Sequence, residues 1–221
     1  MQTGMVFNQK YWPGAGDVDD CWVVSSIQAV NVVAPWLPLY AVPTFRKAAG
    51  NPDQPGPTGG SLLDTVQGVD GCYPAMRGML RRMRGQSWTE FLTEARAHRP
   101  ISVSILSSKL PTRLRFGFLG YHRVTIAVKG NGTWLFANPL APRYSRWQVI
   151  KPDDIKDAVL DYGVAHAGQH GVWAVVFPTD QDMAPKYFAI GTDSTPFDQE
   201  YVDEITADLR DKITKAKDAL A

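Results

Sequence analysis

The stretch GDVDDCWVVSSIQAVNVV, residues 16–33, decides the fold of this 221-residue chain. It places a pair of aspartates directly before a cysteine, and a long apolar run follows. Aspartate is a preferred N-cap residue, so Asp19 or Asp20 can begin a helix whose first turn holds Cys21. Because the run is apolar on most sides, it is typical of a central, buried helix. The sequence therefore predicts a core helix with a thiol at its N-terminus.

A cysteine at this position allows two interpretations. Free cysteine packs well in interiors as a small hydrophobe, whereas the positive end of a helix dipole favours a thiolate. Cys72 has no comparable setting and is interpreted as a buried structural thiol. Since two cysteines are too few for a disulfide framework, both thiols are expected to be free.

Composition excludes several classes of protein. A formal net charge of +1 gives no bulk attraction to nucleic acid or to an anionic membrane. No stretch approaches the roughly 18 consecutive apolar residues of a membrane span. The first twelve residues also lack the charged and apolar regions of a secretory signal. We therefore expect no nucleic-acid partner, no membrane span and a cytoplasmic location.

The patterning changes from helical to strand-like near Pro100. Before it, Ser61 and Ser87 each begin a helix, and the basic stretch RGMLRRMRG at 77–85 is interpreted as the solvated face of a short helix. After it, apolar residues alternate with polar ones, and a Gly-Asn-Gly turn at 130–132 predicts a hairpin. The predicted strands are 101–106, 122–128, 133–138, 171–177 and, at the end of the pattern, 187–190.

These patterns predict an α+β domain over 1–180, helical over 1–100 and an antiparallel sheet over 101–180. An extension over 181–221 follows, with an amphipathic helix at about 197–220. Two interpretations of that helix stay open. It either docks on its own domain or joins a second copy of the chain or another assembly partner.

His122 is the candidate base among four histidines. In the predicted hairpin, residues whose numbers sum to about 260–262 lie opposite one another, so Asn138 lies close to His122. A side-chain amide there could orient the imidazole ring, although a strand-edge histidine beside an ordinary turn would give the same pattern. His166 and His170 have the i, i+4 spacing of a metal pair but no motif glutamate between them, and no metal site is predicted.

Together, these landmarks resemble the papain-like cysteine peptidases, including the bacteriocin-processing and other bacterial or phage branches. In that superfamily the nucleophile opens the central helix, often as Cys-Trp, which matches Cys21 and Trp22. The family histidine starts a strand of the following sheet, and an Asn or Asp follows about sixteen residues later. The family also has a Gly-Gly segment about forty residues after the cysteine, and Gly59 and Gly60 lie there.

The resemblance implies a papain-like fold and a hydrolase that cleaves peptide or amide bonds through Cys21, His122 and Asn138. Gly59, Gly60 and Trp22 would then bind the substrate, with no metal ion or organic cofactor. The substrate would be a peptide or peptidoglycan. The alternatives are a weak or inactive papain-fold subunit of a larger assembly, such as a phage virion, and a peptidoglycan amidase or endopeptidase. A phage-encoded protein would be virion-associated.

The chain departs from the family pattern just before the cysteine. The family usually has a glutamine about six residues upstream, whose amide helps to bind the oxyanion, but Ala15 stands there. Gln9 is the nearby glutamine and becomes the oxyanion-hole candidate. Three aspartates in the same loop, including Asp17, add negative charge that opposes a thiolate.

Overall fold

An antiparallel sheet organises the computed structural model, which describes residues 6–11, 20–50, 60–142 and 145–183. In this part of the chain the sheet has six strands in the order β1-β6-β2-β3-β4-β5, and each neighbouring pair is antiparallel. The strands are β1 (Arg81–Gln86), β2 (Ile101–Leu106), β3 (Tyr121–Val128), β4 (Trp134–Ala137), β5 (Gln148–Ile150) and β6 (Val172–Val176).

Helices cover both faces of this sheet. They are α1 (Cys21–Val33), α2 (Val42–Ala48), α3 (Leu62–Cys72), α4 (Trp88–Arg96), α5 (Thr112–Arg115), α6 (Asp153–Ala167) and α7 (Asp180–Met183). The predicted α+β class with an antiparallel sheet is confirmed. Within the described residues, no helix combines the length and apolarity that a membrane crossing needs.

α1 is the buried helix that the opening stretch predicts. Twelve of its thirteen residues are buried, and only Asn31 is partly exposed. Two hydrogen bonds fix the helix on the sheet: Ser25 shares one with Ser102 at 2.9 Å, and the Thr125 hydroxyl donates to the Ser25 carbonyl at 2.8 Å. The buried hydroxyl and carbonyl of Ser25 therefore both have hydrogen-bond partners on the sheet.

The two faces of the sheet bury separate apolar clusters. On β3 and β4, Ala127 and Leu135 pack with α1, whereas Ile126 and Phe136 point to the other face. Because successive side chains of a strand alternate between faces, Arg123 points to the face that α1 covers and His122 points to the other face.

The predicted helix starts after Ser61 and Ser87 are confirmed. Both serines form complete capping boxes, Ser61 with Asp64 and Ser87 with Glu90, so each serine hydroxyl accepts a backbone N–H of the first helical turn.

Other predictions of the elements are wrong. The predicted helix at 77–85 is replaced by the edge strand β1, which pairs with β6 through Arg81 opposite Val176. The supposed sheet half contains the fifteen-residue helix α6, and neither α2 nor β5 was predicted. The predicted strand at 187–190 and the amphipathic helix at 197–220 lie outside the described residues.

Candidate active site

His122 and Asn138 meet at the end of the sheet where β3 begins. The β3–β4 register pairs Thr125 with Ala137 and Val128 with Trp134, so opposite residues sum to 262, as the hairpin predicted. Nε2 of His122 lies 2.8 Å from Oδ1 of Asn138, and both side chains are buried. The structure thus brings two of the three predicted catalytic residues together.

The orientation of the Asn138 amide is fixed by two further hydrogen bonds. Its Oδ1 accepts the N–H of Leu140 at 2.8 Å, and its Nδ2 donates to the carbonyl of Leu114 at 2.9 Å. Oδ1 must therefore face His122, and an acceptor oxygen requires that Nε2 carry the proton. The neutral imidazole then has its lone pair on Nδ1, which is the form that can accept a proton.

Burial keeps His122 neutral. Loss of solvent lowers the pKa of its imidazole to about 4, although the hydrogen bond to Asn138 acts in the opposite direction. The Phe118 ring packs on the imidazole with 5.5 Å between centroids. Nδ1 is buried and makes no hydrogen bond with any described residue, Cys21 included.

Cys21 is the first residue of α1 and is 8% exposed. The C-terminal end of α1 shares a small cavity with Val128, the last residue of β3, and Ser25 contacts Thr125 nearer the start of both elements. α1 and β3 therefore run in the same direction. Cys21 consequently lies at the end of the sheet where β3 begins. It lies on the face of Thr125 and Arg123, whereas alternation along β3 directs His122 to the other face.

The carboxylate next to the thiol is neutralised by an ion pair. Asp20 occupies the N-cap position of α1 without a side-chain capping bond, and its buried carboxylate instead pairs with the Arg46 guanidinium, with Nε–Oδ1 at 2.8 Å. The negative charge that the sequence placed beside Cys21 is thus matched by a positive one. The other two aspartates of that loop, Asp17 and Asp19, lie outside the described residues.

Arg123 is a second positive charge in this region, and sequence reasoning missed it. Its guanidinium is buried and donates to the hydroxyls of Thr65 and Ser104. Burial lowers the pKa of Arg123, while the negative charges that Cys21 and Asp64 can carry act to raise it. The same attraction favours the thiolate form of Cys21. A charged residue inside the otherwise buried strand HRVTIAV was the available signal.

Gln9, the oxyanion-hole candidate, lies beside the residues that follow Asn138. It belongs to a short 3-10 helix, Gln9–Tyr11, and is 3% exposed. Its N–H donates to the Pro139 carbonyl at 2.9 Å, and the neighbouring Asn8 side chain donates to the Ala141 carbonyl. Residues distant in sequence are thereby assembled around the His122 end of the sheet, and the role of Gln9 as an oxyanion donor stays a prediction.

The indole of Trp22 packs closely against Gly60. The indole is 2% exposed and packs edge-on against Phe45 with 5.7 Å between ring centroids. A Cβ at Gly60 would lie 2.2 Å from Cδ2 of Trp22, so only glycine fits this approach. These contacts give Trp22 a packing role beneath a predicted substrate-binding residue. Gly59 lies outside the described residues.

Neither Cys72 nor His166 lies in a setting that indicates catalysis or metal binding. Burial raises the pKa of the Cys72 thiol to about 11, so Cys72 stays a thiol at neutral pH. His166 stacks on Tyr162 with 5.1 Å between centroids. No cluster of three or more potential metal ligands occurs among the described residues.

Comparisons with known proteins do not assign the chain to a family. No protein-family model matches the chain, and no curated protein matches its sequence. The chemistry of the site therefore rests on its own residues.

Proposed function

We propose that the protein is a papain-like cysteine hydrolase that cleaves a peptide or amide bond with Cys21, His122 and Asn138. The observation that carries this proposal is the His122–Asn138 hydrogen bond at 2.8 Å, with the amide orientation fixed by Leu114 and Leu140. A histidine held in one neutral form is the base that thiol activation requires, and Cys21 begins a helix at the same end of the sheet.

In the proposed reaction, Nδ1 of His122 takes the thiol proton and Sγ of Cys21 attacks the substrate carbonyl carbon. The tetrahedral intermediate collapses to a thioester, and the imidazolium returns the proton to the leaving amine. A water molecule then loses a proton to the same nitrogen and attacks the thioester, which releases the acid and restores the thiol. Asn138 keeps the ring oriented throughout.

The oxyanion would be bound by backbone N–H groups at the start of α1 and by the Gln9 side-chain amide. The burial of Gln9 and its bond to Pro139 support this assignment. Removal of one such donor typically lowers the rate about 10²–10³-fold.

One observation favours the alternative of a non-catalytic papain-fold subunit in a larger assembly. Among the described residues, Nδ1 of His122 has no hydrogen-bond partner, so the thiol is not within bonding distance of the base. Catalytic hydrogen bonds are often long before substrate binds and tighten in the complex. Because alternation along β3 directs His122 to the face away from α1, catalysis requires a rearrangement that brings its imidazole to Cys21 when substrate binds.

Alkylation at neutral pH distinguishes the two proposals. We expect iodoacetamide to modify Cys21 faster than free cysteine, because Arg123 and the helix N-terminus favour the thiolate, and to leave Cys72 unmodified in the folded protein. The variants Cys21→Ala and Cys72→Ala, followed by mass spectrometry of the labelled peptides, separate the two thiols. Labelling of Cys21 no faster than that of free cysteine would contradict the hydrolase proposal.

Hydrolysis is measured on two substrates, a fluorescent casein and purified peptidoglycan sacculi. The wild type and Cys72→Ala should release product from one of them, whereas Cys21→Ala and His122→Ala should not. Release from sacculi alone would assign the substrate to peptidoglycan. Equal release by the wild type and Cys21→Ala on both substrates would leave the subunit alternative.

A further inference from the structure

A cavity of about 370 Å³ lies between the start of α3, the sheet and the end of α6. Its wall includes Gly60, which closely approaches the indole of Trp22, the residue after Cys21. The other lining residues are Ser61, Leu62, Asp64, Arg84, Ser104, Arg123, Tyr162, His166 and Trp173. A predicted substrate-binding glycine and two arginines therefore share one cavity.

Arg123 is a buried cation whose described hydrogen-bond partners are neutral. Its Nη1 and Nη2 donate to the hydroxyls of Thr65, at 2.6 Å, and Ser104, at 3.1 Å. Among the described residues, no carboxylate lies within ion-pair distance of its guanidinium. A guanidinium has five N–H donors, so three remain beyond these two bonds. Burial of a charge is costly unless a counter-ion or a ligand compensates for it.

The charges around the cavity fit an anion with a single negative charge. Arg84 and Arg123 contribute two positive charges, and Asp64 contributes one negative charge. The Asp64 carboxylate is already bound, because it accepts the N–H of Ser61 at 2.7 Å in the capping box of α3. The lining thus has an excess of one positive charge, which matches a carboxylate better than a phosphate dianion.

We propose that this cavity binds a carboxylate, and that in the hydrolase the carboxylate is an acidic side chain of the peptide substrate. The identification of the ligand as substrate rests on the proposed function, whereas carboxylate binding itself does not. Arg123 binds the carboxylate from the floor of the cavity and Arg84 from the β1 edge. Gly60 leaves room for the attached peptide backbone.

The test measures binding of two matched probes, N-acetyl-glutamate N-methylamide and its neutral isostere N-acetyl-glutamine N-methylamide, by calorimetry. We expect the wild type to bind the acid about tenfold more tightly than the amide. Cys21→Ala should keep this preference, since it removes the nucleophile and leaves the cavity intact. Equal binding of the two probes by the wild type would overturn the proposal, as would a wild type that prefers inorganic phosphate to the acid.

Three variants identify the residues that bind the carboxylate. Arg123→Met and Arg84→Gln should each reduce the preference for the acid probe severalfold or more. Arg82→Gln should not, because this exposed neighbour on β1 does not line the cavity. If Arg123→Met does not fold, Arg84→Gln decides the test. A preference that persists in Arg84→Gln and in every folded Arg123 variant would overturn the assignment.

The two proposals fail separately. Acid-selective binding without hydrolysis of any substrate would contradict the hydrolase and leave the carboxylate site standing. Hydrolysis that depends on Cys21, with no preference between the acid and amide probes, would contradict only the carboxylate site.

Discussion

At the residue scale, His122 and Arg123 are neighbours in β3 that point to opposite faces of the sheet and are buried in different charge states. His122 is buried as a neutral base whose one donor is satisfied by Asn138. Arg123 is buried as a cation held by two hydroxyls. The sheet lies between the two side chains, so the imidazole and the guanidinium do not contact each other, and only Arg123 is on the face that α1 covers.

The low pKa of His122 predicts a pH dependence of stability. Its folded pKa of about 4 lies below the ordinary value of 6.5, so the unfolded chain binds the proton first as the pH falls. The stabilisation is complete above about pH 6.5 and is lost between pH 6.5 and 4. This loss amounts to about 2 kcal/mol between pH 7.5 and 5. Urea unfolding of the wild type and His122→Gln at both pH values measures it, and equal losses in the two proteins would contradict the prediction.

Some residues of the candidate site could be predicted from the local sequence pattern, and others could not. The hairpin register placed Asn138 close to His122, within two residues of the position directly opposite, because strand pairing has a fixed period and a short turn fixes the register. No such rule reaches Gln9, whose neighbour Pro139 is distant in sequence. Arg123 was missed for a different reason: its role depends on the hydroxyls of Thr65 and Ser104, which tertiary packing brings to it.

At the scale of elements, the N-terminal turn of α1 and the start of α3 depend on one another. The Trp22 indole lies against Gly60, which directly precedes the N-cap of α3, and it packs edge-on with Phe45 of α2. Three helices therefore meet at one tryptophan. A disturbance there would reach both the Cys21 turn and the cavity.

Gly60→Ala should disturb this junction. The added methyl group would lie 2.2 Å from the Trp22 ring, so the backbone of residue 60 or the indole must shift. We expect the free energy of unfolding to fall by about 1–3 kcal/mol. Gly130→Ala is the matched control, since a Cβ there has nothing within 4 Å. Chemical denaturation of both variants tests the prediction, which equal stabilities would contradict.

The elements predicted wrongly have physical explanations. β1 was interpreted as helix because its arginines suggested a solvated helical face, whereas pairing with β6 gives it a place at the sheet edge that local sequence does not specify. α6 could have been found, since Ile155, Val159 and Tyr162 have helical spacing after two acidic residues in the first turn. Capping boxes identified α3 and α4 because a cap is a purely local signal.

At the scale of the whole molecule, the sheet separates two apolar clusters. α1, α2 and α3 cover one face, whereas α4 and α6 cover the other. The described core therefore has its own apolar interior on each side of the sheet.

Removal of residues 197–221 tests the tail that the sequence predicts to be an amphipathic helix. Because the described residues already form an apolar cluster on each face of the sheet, we expect the shortened chain to unfold cooperatively with a midpoint close to that of the full chain. If the tail joins copies, sedimentation should show a smaller assembly for the shortened chain. An unchanged sedimentation profile after correction for mass would favour a helix docked on its own domain.

The fixed amide of Asn138 has a consequence for which residues this position accepts. Aspartate would also offer an oxygen acceptor to the His122 imidazole, but one side of the Asn138 group faces the Leu114 carbonyl, which needs a donor. A carboxylate would set two acceptor oxygens against each other in a buried site. Aspartate is therefore a poor replacement for Asn138, because the Leu114 carbonyl of α5 requires the N–H donor that only the amide provides.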